Sequence, residues 1–333
     1  TSSQLAGLTA TGIADFSETQ LTDLTSTQVR GFTTTQLNSL GTTQLNALEV
    51  TDFSTAQLSG LTATSAAALS STQAQGFLAT QVAALTTTVL ENLGSTDIQA
   101  WSTEQLGSLT TNQLANLSTT ALGSFSETQL GSLTTTQLRG LTATQLNTME
   151  TTQLNALNAQ DLSTTQIKAM NATAIENLST TQAQSLTAAQ ISAMTVTGLD
   201  ALSSEEVQGW NDTQLGALTS SQLGGLSTTA LTELTETQFA VLNTTQIKGL
   251  TVSQLNELVD SYLQSIDMDE FSTQQLSGMD STSIGQLSGT QVQAMTATQI
   301  GVLSAGSIEA LSSTDIQAWS TAQLGALTAT QLG

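Results

Sequence analysis

Histidine and cysteine are absent from this chain, and tyrosine occurs once. With only two lysines besides, the usual general bases, thiol nucleophiles and Schiff-base amines are missing. Carboxylate pairs remain, but a catalytic site is single, whereas every notable feature here recurs at a fixed interval. The chain is therefore expected not to be an enzyme and to hold no catalytic or cofactor-binding residue. The lack of cysteine removes disulfides from the account and leaves the redox compartment unmarked. Positive charge is almost lacking too: Arg30, Arg139, Lys168 and Lys248 stand against 26 acidic residues, a net charge of −22. Such a surface repels nucleic acid and anionic membranes. No apolar run is long enough to cross a bilayer, and no charged segment followed by a hydrophobic one opens the chain.

What is present is an octad. Residues Thr134–Leu157 read TTTQLRGL, TATQLNTM, ETTQLNAL. Position 1 is small and polar, position 4 is Gln, and positions 5 and 8 are apolar. Thr142-x-x-Gln145 has the form of a capping box, in which the hydroxyl accepts from the N–H of position 4 and the Gln side chain reaches back to the N–H of position 1. Leu146 and Met149, three apart, share one face of the turn that follows. Each octad therefore starts a helix.

One continuous helix fails, because eight residues at about 100° each advance about 80° past two full turns, so the apolar stripe winds around the axis. The chain must break at every position 1 into pieces of one to two turns. Pieces so short hold only by stacking on neighbours. The expected fold is an all-α solenoid or superhelix of short helices. A β-solenoid is the alternative: Thr favours strands, and Thr134/Thr136, Thr142/Thr144 and Thr328/Thr330 would form rows of hydroxyls resembling those of ice-binding proteins. Against it, the 3, 5, 3, 5 apolar spacing sends successive apolar residues to opposite faces of a strand.

A longer period lies over the octad. Five-residue pieces replace an octad at Glu49–Phe53, Asn158–Leu162 and Asp267–Phe271, and the interval from each to the next is the same. Trp101, Trp210 and Trp319 obey that interval, as do Arg30, Arg139 and Lys248, and the lost Gln at Gly12, Ala121 and Ala230. Residues 1–333 thus read as a single array of 109-residue units, each of 13 octads and one pentad. Periodicity overrides the two or three globular domains that the length would suggest. Position 8 is Leu, Phe, Met, Trp or Ile in all 39 complete octads, so it is the core position. Small residues at position 7 let neighbouring pieces approach closely. The chain begins in phase and stops in mid-octad, as an internal segment of a longer array would, or a subunit whose ends neighbours cover.

The acidic pentads are the candidate metal ligands. Asp52, Asp161 and the group Asp267, Asp269 and Glu270 carry the oxygens that Ca²⁺ prefers. One carboxylate per pentad is too few for a dedicated site, and no Asp-x-Asp-x-Asp-Gly loop is present, so an exposed corner is the favoured reading. Asp97, Glu206 and Asp315 replace Gln in the Trp octads, where a carboxylate can cap equally well. The three Trp residues fit a sugar-stacking surface or an interface anchor, but their place at position 8 favours the core. A column of Gln amides could form a ladder between turns, although local capping accounts for it more simply.

In composition and long-period duplication, carried by units such as Gly94–Trp101 and its two copies, the chain resembles the tandem-repeat regions of giant bacterial secreted and surface proteins. These include long adhesins and filament-forming repeat proteins. The resemblance implies an extracellular or cell-surface structural role as a fibre, stalk or filament, with an adhesin or an ice- or glycan-binding surface as the alternative. The expected partner is the protein itself, end to end or laterally, and the charge of −22 means that such association strengthens with salt or Ca²⁺.

Overall fold

A computed structural model describes all of residues 1–333. The chain is all-helical, with forty α-helices of four to six residues, three 3₁₀ turns and no strand. The helices match the octads one for one, the last of them formed by the partial octad at the end, and the 3₁₀ turns are the three pentads. The β-solenoid alternative is thereby overturned. Its strand reading fails because the hydroxyl of position 1 is spent on the N-terminus of a helix, as at Thr134 and Thr142.

The capping box forms as the octad dictates. The Thr142 N–H donates to Gln145 Oε1 at 2.7 Å and the Gln145 N–H donates to Thr142 Oγ1 at 3.2 Å. Such a cap contributes about 1 kcal/mol. Two consecutive extended residues then turn the chain between pieces, as at Met149 (φ −63°, ψ 144°) and Glu150 (φ −62°, ψ 148°). No left-handed residue is needed for these bends, and a positive φ occurs only at Gly333.

The helices stack in turns. Each packs mainly against the piece three places along the chain, such as Ser2–Ala6 on Ser26–Val29 and Ala188–Ala193 on Thr164–Ala169. Positions 5 and 8 are buried through almost the whole chain, Leu138 and Leu141 for example, and make the core of the stack. Glycine at position 7 is required where the turns touch: a Cβ on Gly31 would come within 2.6 Å of Ser2 Cα, and one on Gly249 within 2.5 Å of the Ser220 carbonyl oxygen.

The pentads are not mere corners, as the sequence had suggested. Each is an octad without its first three residues, and its apolar pair stays in the core: Val50 with Phe53, Ala159 with Leu162, Met268 with Phe271. The chain divides into two compact units, Thr1–Leu162 and Ser163–Gly333, so the division falls at the end of the second pentad.

Candidate functional site

The recurrent site is the contact between turns, and its central residue is the Gln of position 4. While Oε1 of Gln145 caps its own helix, Nε2 donates to the carbonyl oxygens of Leu114 at 2.7 Å and Leu117 at 2.9 Å. These lie 31 and 28 residues back, at positions 5 and 8 of the octad four pieces earlier. Gln137 holds Leu106 and Leu109 in the same way, and Gln246 holds Leu215 and Leu218, all within 2.9 Å. One turn therefore takes between three and four pieces. Gln81 finds its partners at Val50 and Phe53, so a pentad offers the same two carbonyls as an octad. These Gln side chains are buried, and a buried amide costs stability unless each of its groups is paired. Neither local capping alone nor an amide-on-amide ladder describes them. Each amide clamps its own helix to the backbone of the turn beneath.

Other side chains take over where Gln is missing. At Ala121 and Ala230 the cap is supplied from four pieces earlier: Glu91 Oε1 accepts from the Ser118 N–H at 2.8 Å, and Asp200 Oδ1 from the Ser227 N–H at 3.3 Å. Asn38 and Asn256 do the same for Thr62 and Asp280. At Tyr262 the phenol replaces the amide, its single O–H donating to the carbonyl of Leu234 at 2.9 Å with the Thr232 carbonyl nearby at 3.3 Å. Its pKa is raised, first by burial and then by the charges of Glu236 and Glu233.

The Trp residues lie inside the stack and do not offer a sugar-stacking surface. Each indole N–H donates to a carbonyl 27 residues back: Trp101 to Ala74 at 2.8 Å, Trp210 to Ala183 at 3.0 Å and Trp319 to Val292 at 2.9 Å. Having lost that position 5 carbonyl to the indole, the following Gln moves to position 6, as Gln105 does to Gln75. Of the carboxylates in these octads, Glu206 caps Ser203 at 2.7 Å, Asp315 accepts from the Ser312 hydroxyl at 2.6 Å, and Asp97 accepts from Gln75 at 3.3 Å.

The candidate Ca²⁺ ligands are placed apart, and no three acidic side chains converge on a point that could hold a metal ion. Asp161 spends both carboxylate oxygens, on the Thr135 hydroxyl at 2.8 Å and on Asn158 Nδ2 at 2.7 Å. Glu270 accepts from Thr244 at 3.2 Å. The backbone carbonyls of Asp52 and Asp161 accept from Arg30 and Arg139, which explains two of the four basic residues. Asp267 and Asp269 face solvent. No helix is long and apolar enough to cross a membrane.

Sequence reasoning missed the second half of each Gln bond, the indole bonds and the caps sent between turns. One signal was available. A carboxylate caps a helix as well as an amide does, so a position that is so often Gln in a chain rich in acid is asking for a donor.

A family model described as an ALTTAQ repeat matches residues 82–119 and 198–228. Moved along the chain by one long repeat, the first match covers the second, so both report the same part of that repeat. The chain is a repeat protein, similar over these stretches to that family. A comparison with curated proteins finds no match.

Proposed function

We propose that the protein is an extracellular or cell-surface structural repeat protein, its stacked turns serving as a fibre, stalk or filament region. The observation that carries this reading is the sameness of the bond between turns. In most octads Gln, Tyr or Trp reaches a carbonyl of the turn beneath, at a spacing of 27 to 31 residues wherever no pentad intervenes. A scaffold needs that repetition, whereas a site needs a departure from it. The same reading makes the protein a non-enzyme without cofactor, associating with its own copies and not with nucleic acid or bilayers. Electron microscopy tests it: elongated particles are expected, and compact, monodisperse globules would refute it. Association, measured by light scattering, is expected to rise with salt or Ca²⁺ as the charge is screened.

A second reading, a glycan-binding adhesin, draws on one feature. An open groove in the first compact unit is lined by Gln99, Ser126, Glu127, Thr128, Glu150 and Gln153, polar groups of the kind that sugar hydroxyls pair with. A glycan array tests this reading, and a blank array counts against it. The ice-binding variant loses its basis with the strands, since Thr134, Thr142 and Thr328 spend their hydroxyls on the capping Gln.

A further inference from the structure

The bonds between turns are not evenly distributed. In octad Thr86–Leu93 position 4 is Val89, and in Thr195–Leu202 it is Gly198, neither of which can donate from a side chain. The octads that follow end in Trp101 and Trp210 and carry Asp97 and Glu206 at position 4, where a carboxylate has no proton to offer a carbonyl. In the register of the neighbouring Gln residues, 31 and 28 residues back, the partners of position 206 are the carbonyls of Ile175 and Leu178, and a carboxylate can donate to neither. Across two consecutive octads of one turn, the four amide donations expected from position 4 are replaced by one indole N–H, and the amide link that remains is a single one from the turn beneath, Gln75 to Asp97 in one copy and Gln184 to the Glu205 carbonyl in the other.

Three further features weaken the same place. Asp97 and Glu206 are buried, where a carboxylate costs stability unless both its oxygens are well paired. Glu206 gains one capping interaction, to the Ser203 N–H and hydroxyl, and no partner in the turn beneath. Packing is also incomplete beside 195–210: a cavity of about 20 Å³ lies among Leu199, Leu202, Val207, Trp210, Leu234 and Glu233. It has room for about one water, and Glu233 is the one charged group on its otherwise apolar wall.

We propose that these octads form a yield seam, a built-in place where the stack opens or bends while the turns on either side stay clamped. The seam recurs with the long repeat, at 86–101 and again at 195–210, so strain on the array is divided between prepared sites. It follows from the bonding of the stack and holds whether or not the protein is a fibre.

Hydrogen exchange followed by mass spectrometry on the whole chain tests the proposal. Peptides from 86–101 and 195–210 should exchange about tenfold faster than those from the clamped stretches 126–146 and 211–226. Glu206→Gln, which keeps the cap and adds two donors, should slow 195–210 by about tenfold and leave 86–101 unchanged. Trp210→Phe should speed 195–210 and the octad beneath it, 179–186, and leave 86–101 unchanged. Equal exchange in seam and clamped stretches of the unaltered protein would overturn the proposal, as would a Glu206→Gln protein whose seam exchanges like the parent's.

Discussion

Octads Thr142–Met149 and Val259–Ile266 occupy comparable places in the stack and solve it differently. In the first, Gln145 caps its helix and also clamps the turn beneath. In the second, Val259 provides no cap, yet Tyr262 still reaches the two carbonyls below, its ring set edge-on to Phe239 at 5.4 Å. The counterparts of Val259 in the other two copies are Gly41 and Glu150, which make no side-chain cap either, while Gln44 and Gln153 keep their bonds to the turn beneath. At this place in the long repeat the hydroxyl cap has been dispensed with three times and the bond between turns never. The cap starts a helix; the clamp is what makes a pile of one-turn helices a fold.

The largest effect that would sharpen this contrast is expected from Gln145→Ala. It leaves the Leu114 and Leu117 carbonyls and the Thr142 N–H without their side-chain partners and should cost about 3 kcal/mol, read as a lower denaturation midpoint. Tyr262→Phe keeps the ring and removes only the donor, so a loss of about 1 kcal/mol is expected by the same measurement. Val259→Thr restores the missing hydroxyl and should stabilise by at most about 1 kcal/mol; a gain larger than the loss in Tyr262→Phe would invert the ranking of cap and clamp.

The smallest effect expected is on pH. The folded pKa of Tyr262 lies above its ordinary value, so the neutral phenol contributes stability that is fully present below about pH 10 and is lost as pH rises through the raised value. Thermal melts of the parent and of Tyr262→Phe should therefore converge in that alkaline window, and a gap that stays constant would contradict the role given to the hydroxyl.

Much of this was legible in the sequence, because the octad carries its instructions locally. Thr142 and Gln145 are three residues apart and find each other within one turn of helix. Leu146 and Met149 declare their shared face by spacing alone, and the position of Trp210 among the core residues foretold its burial. The clamp was not legible because the partners of Gln145 lie a whole turn of the stack away, at Leu114 and Leu117. That distance is set by how many pieces close one turn, and no local pattern encodes the number. For the same reason the bond from the Thr135 hydroxyl to Asp161 was hidden, since only the stack brings the two side chains together.

The most direct test of the clamp is Gln145→Glu, followed by hydrogen exchange. A carboxylate still accepts from the Thr142 N–H, so the cap survives, but both donations to the turn beneath are lost. The prediction is faster exchange in the lower octad, 110–117, as well as in 142–149. Unchanged exchange at 110–117 would mean that the turns are held together by apolar packing alone.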